Sequence, residues 1–396
     1  MSGRLTNSVV GGGTAGLTLA SRLAENGTFS VAVIEAGSFY EQDNGNFSVV
    51  PGLAETQAFL VTTPDYPRQP SMDWGFVSVP QSGANNRQVH YAQAKTLGGS
   101  SAINTMAYHR ATIGAYQQWA DTVNDPSYTW PNLLPFFDRS CHVSAPDQAK
   151  RAINATVSWD PSVFNNSLGG MLQVSWGNWV DPTATWLARA LQNIGLPESL
   201  INFNSGSLSG FGAWISTTVD RDTSTRLTSQ TAYLTKALGS TNLMVYTHTQ
   251  ASQLRFEKSN SSTLPEAVGV LASSYGMDFE ISARKEVIVS AGLFNSPRLL
   301  LQSGIGPRNV LQDLNISVIK DLPGVGQNLG DQIYFGIEAP VSTPTGSQIL
   351  SSPATQADAL RSYLCNNTGP YTTPGAYIAF PCRLALQFHK LDRFCP

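Results

Sequence analysis

Apolar and polar positions alternate between two periods along this chain. A short apolar run, Val9-Val10, enters a glycine cluster and then a segment in which Ala15, Leu19, Ala20 and Leu23 recur at helical spacing. A second apolar run, Val31-Ala32-Val33-Ile34, follows, so the opening predicts strand, helix, strand: one βαβ unit. Strand-like patterns return much later, at Leu243-Met244-Val245-Tyr246 and Glu286-Val287-Ile288-Val289. Between Gly37 and Gly83 the chain is dense in Pro, Asn and Gly and reads as a loop-rich cover. The middle carries Trp119, Trp130, Trp159, Trp176, Trp179, Trp186 and Trp214, each expected to be core first, with the group also offering stacking surface to a ligand. The late return of strands predicts a discontinuous first domain with a second domain threaded between its parts. No internal repeat is visible.

The glycines carry the first chemical signal. In Ser8-Val9-Val10-Gly11-Gly12-Gly13-Thr14-Ala15-Gly16-Leu17, Gly11 lets the chain turn sharply, Gly13 lets backbone amides approach a pyrophosphate, and Gly16 lets helix pack close on strand. Glu35 ends the second strand nineteen residues past Gly16, where an acid accepts hydrogen bonds from a ribose diol. That order of elements is a dinucleotide fingerprint. By itself it does not separate FAD from NAD.

Composition narrows the class. With 396 residues, two domains fit; 41% hydrophobic and 13% charged residues describe a globular chain, without a run of about eighteen apolar residues that spans a bilayer. A net charge of -3 leaves no electrostatic footprint for nucleic acid or an anionic membrane, which favours a small neutral substrate. Cys141, Cys365, Cys382 and Cys395 are scattered, with neither zinc spacing nor a disulfide framework, so no metal is expected. Sequons at Asn26, Asn46, Asn154, Asn165, Asn260, Asn315 and Asn366 lean toward a secreted ancestry, although residues 1–7 encode no apolar signal region. Localisation stays open.

Further motifs bring a family into view. Ala94-Lys95-Thr96-Leu97-Gly98-Gly99-Ser100-Ser101-Ala102-Ile103-Asn104-Thr105-Met106-Ala107-Tyr108 and Ser290-Ala291-Gly292-Leu293-Phe294-Asn295-Ser296-Pro297-Arg298, running on to Gly306, are two long signatures. Trp130-Pro131, Thr231-Ala232-Tyr233-Leu234 and Gly324-Val325-Gly326-Gln327-Asn328-Leu329 accompany them. With these segments the chain resembles the glucose-methanol-choline (GMC) family of FAD-dependent alcohol oxidoreductases, which includes aryl-alcohol and glucose oxidases. The resemblance runs from about Val9 to Pro381.

The resemblance implies an α/β plus α+β fold. A discontinuous Rossmann-like FAD-binding domain takes residues 1–50, 80–120 and 225–335, and an inserted substrate domain built on an antiparallel sheet takes 51–79, 121–224 and 336–381. It implies a cofactor site of Gly11, Gly13, Thr14, Ala15, Gly16, Glu35, Leu97, Gly98, Gly99, Ser100, Asn104, Thr105, Met106, Ala107, Ala251, Ala291 and Gly292. Gly98, Gly99 and Ser100 run along the flavin in the family, and Asn104 follows at a distance suited to polar ring edges. Ala251 stands where the family usually places a valine facing adenine. Some relatives tether FAD through a histidine near the first signature, where this chain has Ser100, Ser101 and Asn104; noncovalent FAD is expected.

The implied reaction oxidises a primary alcohol, aryl or otherwise hydrophobic, to an aldehyde by hydride transfer to flavin N5, with oxygen or a quinone as acceptor. It needs a base for the hydroxyl proton, a histidine in the family, from a C-terminal part not contained in these residues. His90, His109, His142 and His248 fall where the family places no base, and His389 lies in 382–396, a tail that resembles nothing in the family. The family's Asp-His pair is Asp331-Gln332 here, and Thr6-Asn7-Ser8 stands where a strand buried on both faces calls for apolar residues. The chain therefore reads as truncated, and a catalytically inactive flavin-binding homologue is the alternative. A role in secondary metabolism is as open as a secreted, peroxide-generating one.

Overall fold

Four short parallel strands set the frame of the N-terminal part in this computed structural model, which describes residues 6–25, 27–56, 62–65, 69–199, 203–207, 210–239, 242–258, 265–331, 340–375 and 378–379. The strands are β1 (Asn7–Val10), β2 (Val31–Ile34), β3 (Leu243–Tyr246) and β7 (Glu286–Val289), in the order β7-β1-β2-β3. Helix α1 (Thr14–Ala24) links β1 to β2. An antiparallel sheet of β4 (Thr249–Glu257), β5 (Glu266–Ser274) and β6 (Met277–Ser282) precedes β7, and α2 (Gly292–Gln302) follows it.

Alternation along the strands explains why both faces of the parallel sheet are covered. Val9, Val31 and Val33 pack with Leu17, Ala20 and Leu97 on one side, while Val10, Ala32 and Ile34 pack with Leu254, Val270, Ile281 and Leu299 on the other. The inward stripe of α1 differs from the expected one. Leu17, Ala20, Ser21 and Ala24 are buried, whereas Ala15 and Leu19 are exposed and Leu23 is only partly covered. Gly16 brings the helix so near the strand that the next residue, Leu17, meets the sheet.

Polar residues do not prevent β1 from forming. Asn7 and Ser8 pair in register with Val31 and Ala32 on one side and with Glu286 and Val287 on the other, and ladders on both sides outweigh side-chain preference. The Thr6 and Ser30 hydroxyls lie 3.0 Å apart and satisfy each other. Ser8 is fully buried and its Oγ has no partner. Ser8→Ala is therefore expected to raise stability by about 1 kcal/mol, read as a higher urea midpoint at unchanged slope.

The chain divides into two units: Met1–Ser48 with Gln57–Ile103 and Thr228–Glu338, and Val49–Thr56 with Asn104–Leu227 and Ala339–Pro396. Residues 69–79, expected in the substrate domain, thus fall in the first unit, because Trp74 and Phe76 join an aromatic group with Phe294 and Asp73 anchors Gln93. Residues 104–120, expected with the cofactor domain, fall in the second. The mixed α/β class with an antiparallel sheet holds. The three-stranded antiparallel sheet belongs to the first unit; among the described residues the second unit has one parallel pair, Cys141–Val143 with Leu172–Val174, and one antiparallel pair, Gly212–Ala213 with Ile378–Ala379.

In the second unit Trp176, Trp214, Phe211 and Leu191 form a core with Val143 and Val157, while Trp119 and Trp186 are more than half exposed. Arg110 is held at 3.0 Å from Asp138 beneath Phe137 and Phe164. Among the described residues no helix is long and apolar enough to cross a membrane, and no three His, Cys, Asp or Glu side chains gather as metal ligands. Cys141 and Cys365 are free thiols. Asn26, Asn260, Gln332, His389 and the tail 382–396 lie outside the described residues.

Candidate functional site

A cavity of about 590 Å³ opens within the first unit at the carboxyl ends of its parallel strands, the place where α/β sheets receive ligands. Val10, Ile34 and Val289, the last residues of β1, β2 and β7, form its floor. Its size falls among small-molecule sites, which span roughly 300–1,000 Å³.

The two glycine clusters meet here. Gly11, Gly13, Thr14 and Ala15 line one wall at the start of α1, and Gly99 and Ser100 stand beside them. Gly11 takes φ +100°, and a Cβ there would enter the backbone of Ser290 and Ala291. Gly99 takes φ +54°, and a Cβ on it would lie 2.6 Å from Gly13 Cα. Neither position admits a side chain. The Gly98 N–H donates to the Gly12 carbonyl at 2.9 Å, and the Gly98 carbonyl accepts from Ser101 Oγ at 2.6 Å. Backbone therefore builds this wall and leaves it narrow enough for a flat or extended ligand to lie along it.

Glu35 adjoins this wall. Its Oε2 accepts from the Gly12 N–H at 2.8 Å and its Oε1 from the Gly37 N–H at 2.9 Å. Burial pushes its carboxyl up to about 7, against the downward pull of the Gly37 and Gly12 amides. A carboxylate has about four acceptor sites, so capacity remains for a hydroxyl of a ligand beside the amides of Gly37, Gly12 and Ala36.

Of the remaining expected cofactor residues, Ala251, Ala291 and Gly292 line the cavity. Gly16, Leu97 and Gly98 do not: Gly16 sits under the Gly11 carbonyl, Leu97 is fully buried with its N–H on the Ser38 carbonyl, and Gly98 is the staple behind the wall. Asn104, Thr105, Met106 and Ala107 belong to the second unit and are not part of this cavity's wall. There Asn104 Oδ1 accepts from the Met106 N–H at 3.1 Å and Arg226 Nη1 at 2.9 Å, Met106 is buried at φ 62°, and Ala107 bridges to Thr217.

Several polar wall residues escaped the reading of the chain, Thr249, Gln250, Ser296, Arg298 and Gln302 among them, and two matter most for the shape and chemistry of the wall. Gln93 lines the cavity and clamps the start of α2: its Nε2 donates to the Ala291 carbonyl at 3.0 Å and its Oε1 accepts from the Phe294 N–H at 3.2 Å. Behind it, Asp73 Oδ1 accepts from the Gln93 N–H at 3.0 Å while Asp73 Oδ2 and His90 Nε2 lie 2.6 Å apart. Gln93→Ala is expected to cost roughly 1–3 kcal/mol through the two groups left unpaired, read in thermal unfolding. The second of the two is Asn295, buried on the inward stripe of α2 four residues before Leu299, with an Nδ2 that has no partner and a place in the cavity wall. A polar residue on an apolar helical stripe was the available signal.

None of His90, His109, His142 and His248 lines the cavity. His109 Nδ1 and His142 Nδ1 lie 3.4 and 2.7 Å from the carbonyls of Arg110 and Gly170, and His248 stacks against Tyr275.

The sequence profile of the GMC oxidoreductases matches residues 6–334. The chain belongs to the GMC oxidoreductase family. It is 45% identical over 367 residues to a glucose methanol choline oxidoreductase of Aspergillus terreus, covering 93% of this chain and 58% of that protein. Among solved structures, an FAD-dependent oxidoreductase from Chaetomium thermophilum superposes with a TM-score of 0.83 at 29% identity, over 98% of this chain and 64% of its own. A fungal aryl-alcohol oxidase superposes with a TM-score of 0.78 at 26% identity, over 96% and 62%. This GMC chain thus spans less than two thirds of each of these relatives.

Proposed function

We propose that this GMC protein binds FAD in the cavity of its first unit and belongs to an enzyme that oxidises a primary, hydrophobic or aryl alcohol to the aldehyde. The observation that carries the reading is the Gly13–Gly99 contact, two sequence-distant backbone turns that line one wall where a dinucleotide must be approached closely. The residues present fit the group. Gly11, Gly13 and the first turn of α1 offer backbone N–H groups to a pyrophosphate, Glu35 has acceptor capacity for a ribose diol, and Asn295 Nδ2 is a buried donor without a partner.

When bound, FAD supplies a two-electron acceptor for a hydride from the alcohol carbon. The chain's own part is to hold and orient. Gln93 fixes the turn at Ala291 and Gly292, and the Gly98 staple holds Gly99 against Gly13. Ser100, Ser101 and Asn104 stand in place of a tethering histidine, which supports noncovalent attachment. The similarity to an aryl-alcohol oxidase and the tryptophan-rich second unit support a hydrophobic substrate.

Anaerobic addition of an aromatic primary alcohol such as benzyl alcohol to the purified protein, produced together with a C-terminal part that supplies the family's histidine base, tests the reading. Bleaching of the flavin absorbance with aldehyde formed in equal amount is the expected result. A flavin that no primary alcohol reduces would remove the enzymatic half.

A further inference from the structure

Among the described residues, Arg151 in the second unit is a buried cation without a counter-charge. It follows the short turn Gln148–Lys150 and is 9% exposed. Its Nε donates to the Ala155 carbonyl at 2.7 Å and its Nη1 to the Gly177 carbonyl, and its guanidinium lies 6.0 Å from the centre of the Trp214 ring. No carboxylate pairs with it among the described residues, and its Nη2 has no hydrogen-bond partner. Burial alone pulls its pKa down to about 10, so it still carries its charge at neutral pH.

A small cavity adjoins this guanidinium, lined by Arg151, Trp176, Trp179, Trp214, Thr217 and Thr373 among others, with a volume of about 20 Å³. That is room enough for a small particle, since a single water needs roughly 10–15 Å³. A water needs two to four polar partners. Three side-chain donors around the space are committed: Trp176 Nε1 to the Trp214 carbonyl at 2.8 Å, Thr217 Oγ1 to the Ser175 carbonyl at 3.2 Å, and Thr373 Oγ1 to the Gly375 carbonyl at 3.0 Å. What the site offers is the free Nη2 of a buried guanidinium among tryptophans, where charge attraction is little screened.

We infer that Arg151 and the tryptophans around it form a binding site for a single halide ion, chloride under ordinary conditions, that neutralises the buried guanidinium and stabilises the second unit. The inference stands apart from the cofactor reading, since every residue it uses lies in the other unit.

The test is made on the whole purified protein with sodium bromide as probe. Crystals soaked in bromide should show an anomalous peak beside Arg151 Nη2. In solution, bromide or chloride exchanged for gluconate at constant ionic strength should raise the unfolding midpoint by several degrees and saturate. Arg151→Met should abolish that response; should this variant fail to fold, the diffraction result and the halide titration of the unaltered protein decide. No anomalous signal, or binding at crystal concentration only with equal midpoints in bromide and gluconate, overturns the inference.

Discussion

Replacing Gly99 by valine is expected to strip the protein of its flavin, with affinity falling at least 100-fold. Two costs combine at that position. The backbone sits at φ +54°, which costs an ordinary residue about 1–2 kcal/mol and a β-branched one more. The new Cβ also lies 2.6 Å from Gly13 Cα, and backbone on backbone has no rotamer by which to yield. Either Gly99 or Gly13 must then move, and the wall that both line opens. Gly83→Val serves as the control, because a Cβ there meets nothing within 4 Å. The measurement is flavin fluorescence on titration of refolded, flavin-free protein, with circular dichroism to establish that both variants fold. A Gly99→Val protein that folds and binds FAD as tightly as its parent would remove the ledge from the account.

The second large effect concerns Glu35 and pH. Its carboxyl titrates at about 7 in the fold against 4.5 when unfolded, so the folded state holds its proton more tightly. Its stabilising contribution is fully present below pH 4.5 and is lost as pH rises through about 7. The loss amounts to roughly 3 kcal/mol in the ligand-free protein. Urea midpoints should therefore fall across that window, and Glu35→Gln should flatten the fall. Ligand binding runs the opposite way. A diol that donates to Glu35 favours the ionised carboxylate, so FAD affinity should climb as pH rises toward 7, by up to about tenfold per pH unit. Glu35→Gln should bind more weakly with little dependence on pH. A wild-type affinity that stays flat from pH 5 to 7 would contradict the assignment of Glu35 to the ribose.

Glu35 was legible because its signal is local, whereas Gly99 came with the run Leu97 to Asn104 and the family resemblance it carries. Gly11 to Gly16, Glu35 and the strand 31–34 occupy one stretch of chain, and a glycine in a turn between strand and helix declares its role without knowledge of what lies elsewhere. The four parallel strands were readable for the same reason: each contains an apolar run, although β1 opens on Asn7 and Ser8 and β7 on Glu286. The inward face of α1 was not, since its apolar spacing fits two registers and Gly16 decides between them by how closely the helix approaches β1. Gln93 and the Ala291 carbonyl are 198 residues apart in sequence, so no local pattern announces their contact. The boundary near residue 103 is hidden likewise, because the signature from Ala94 to Tyr108 reads as one motif while the fold divides it after Ile103. Ser8 shows the limit of hydrophobic patterning, for a strand paired on both sides forms even with a polar residue facing inward.

The most direct test is the amount and identity of nucleotide released when the purified protein is denatured in acid. The account predicts intact FAD in the supernatant at close to one per chain and no flavin left attached to the polypeptide. A colourless protein that releases no flavin, or one that yields a nicotinamide dinucleotide instead, would contradict it.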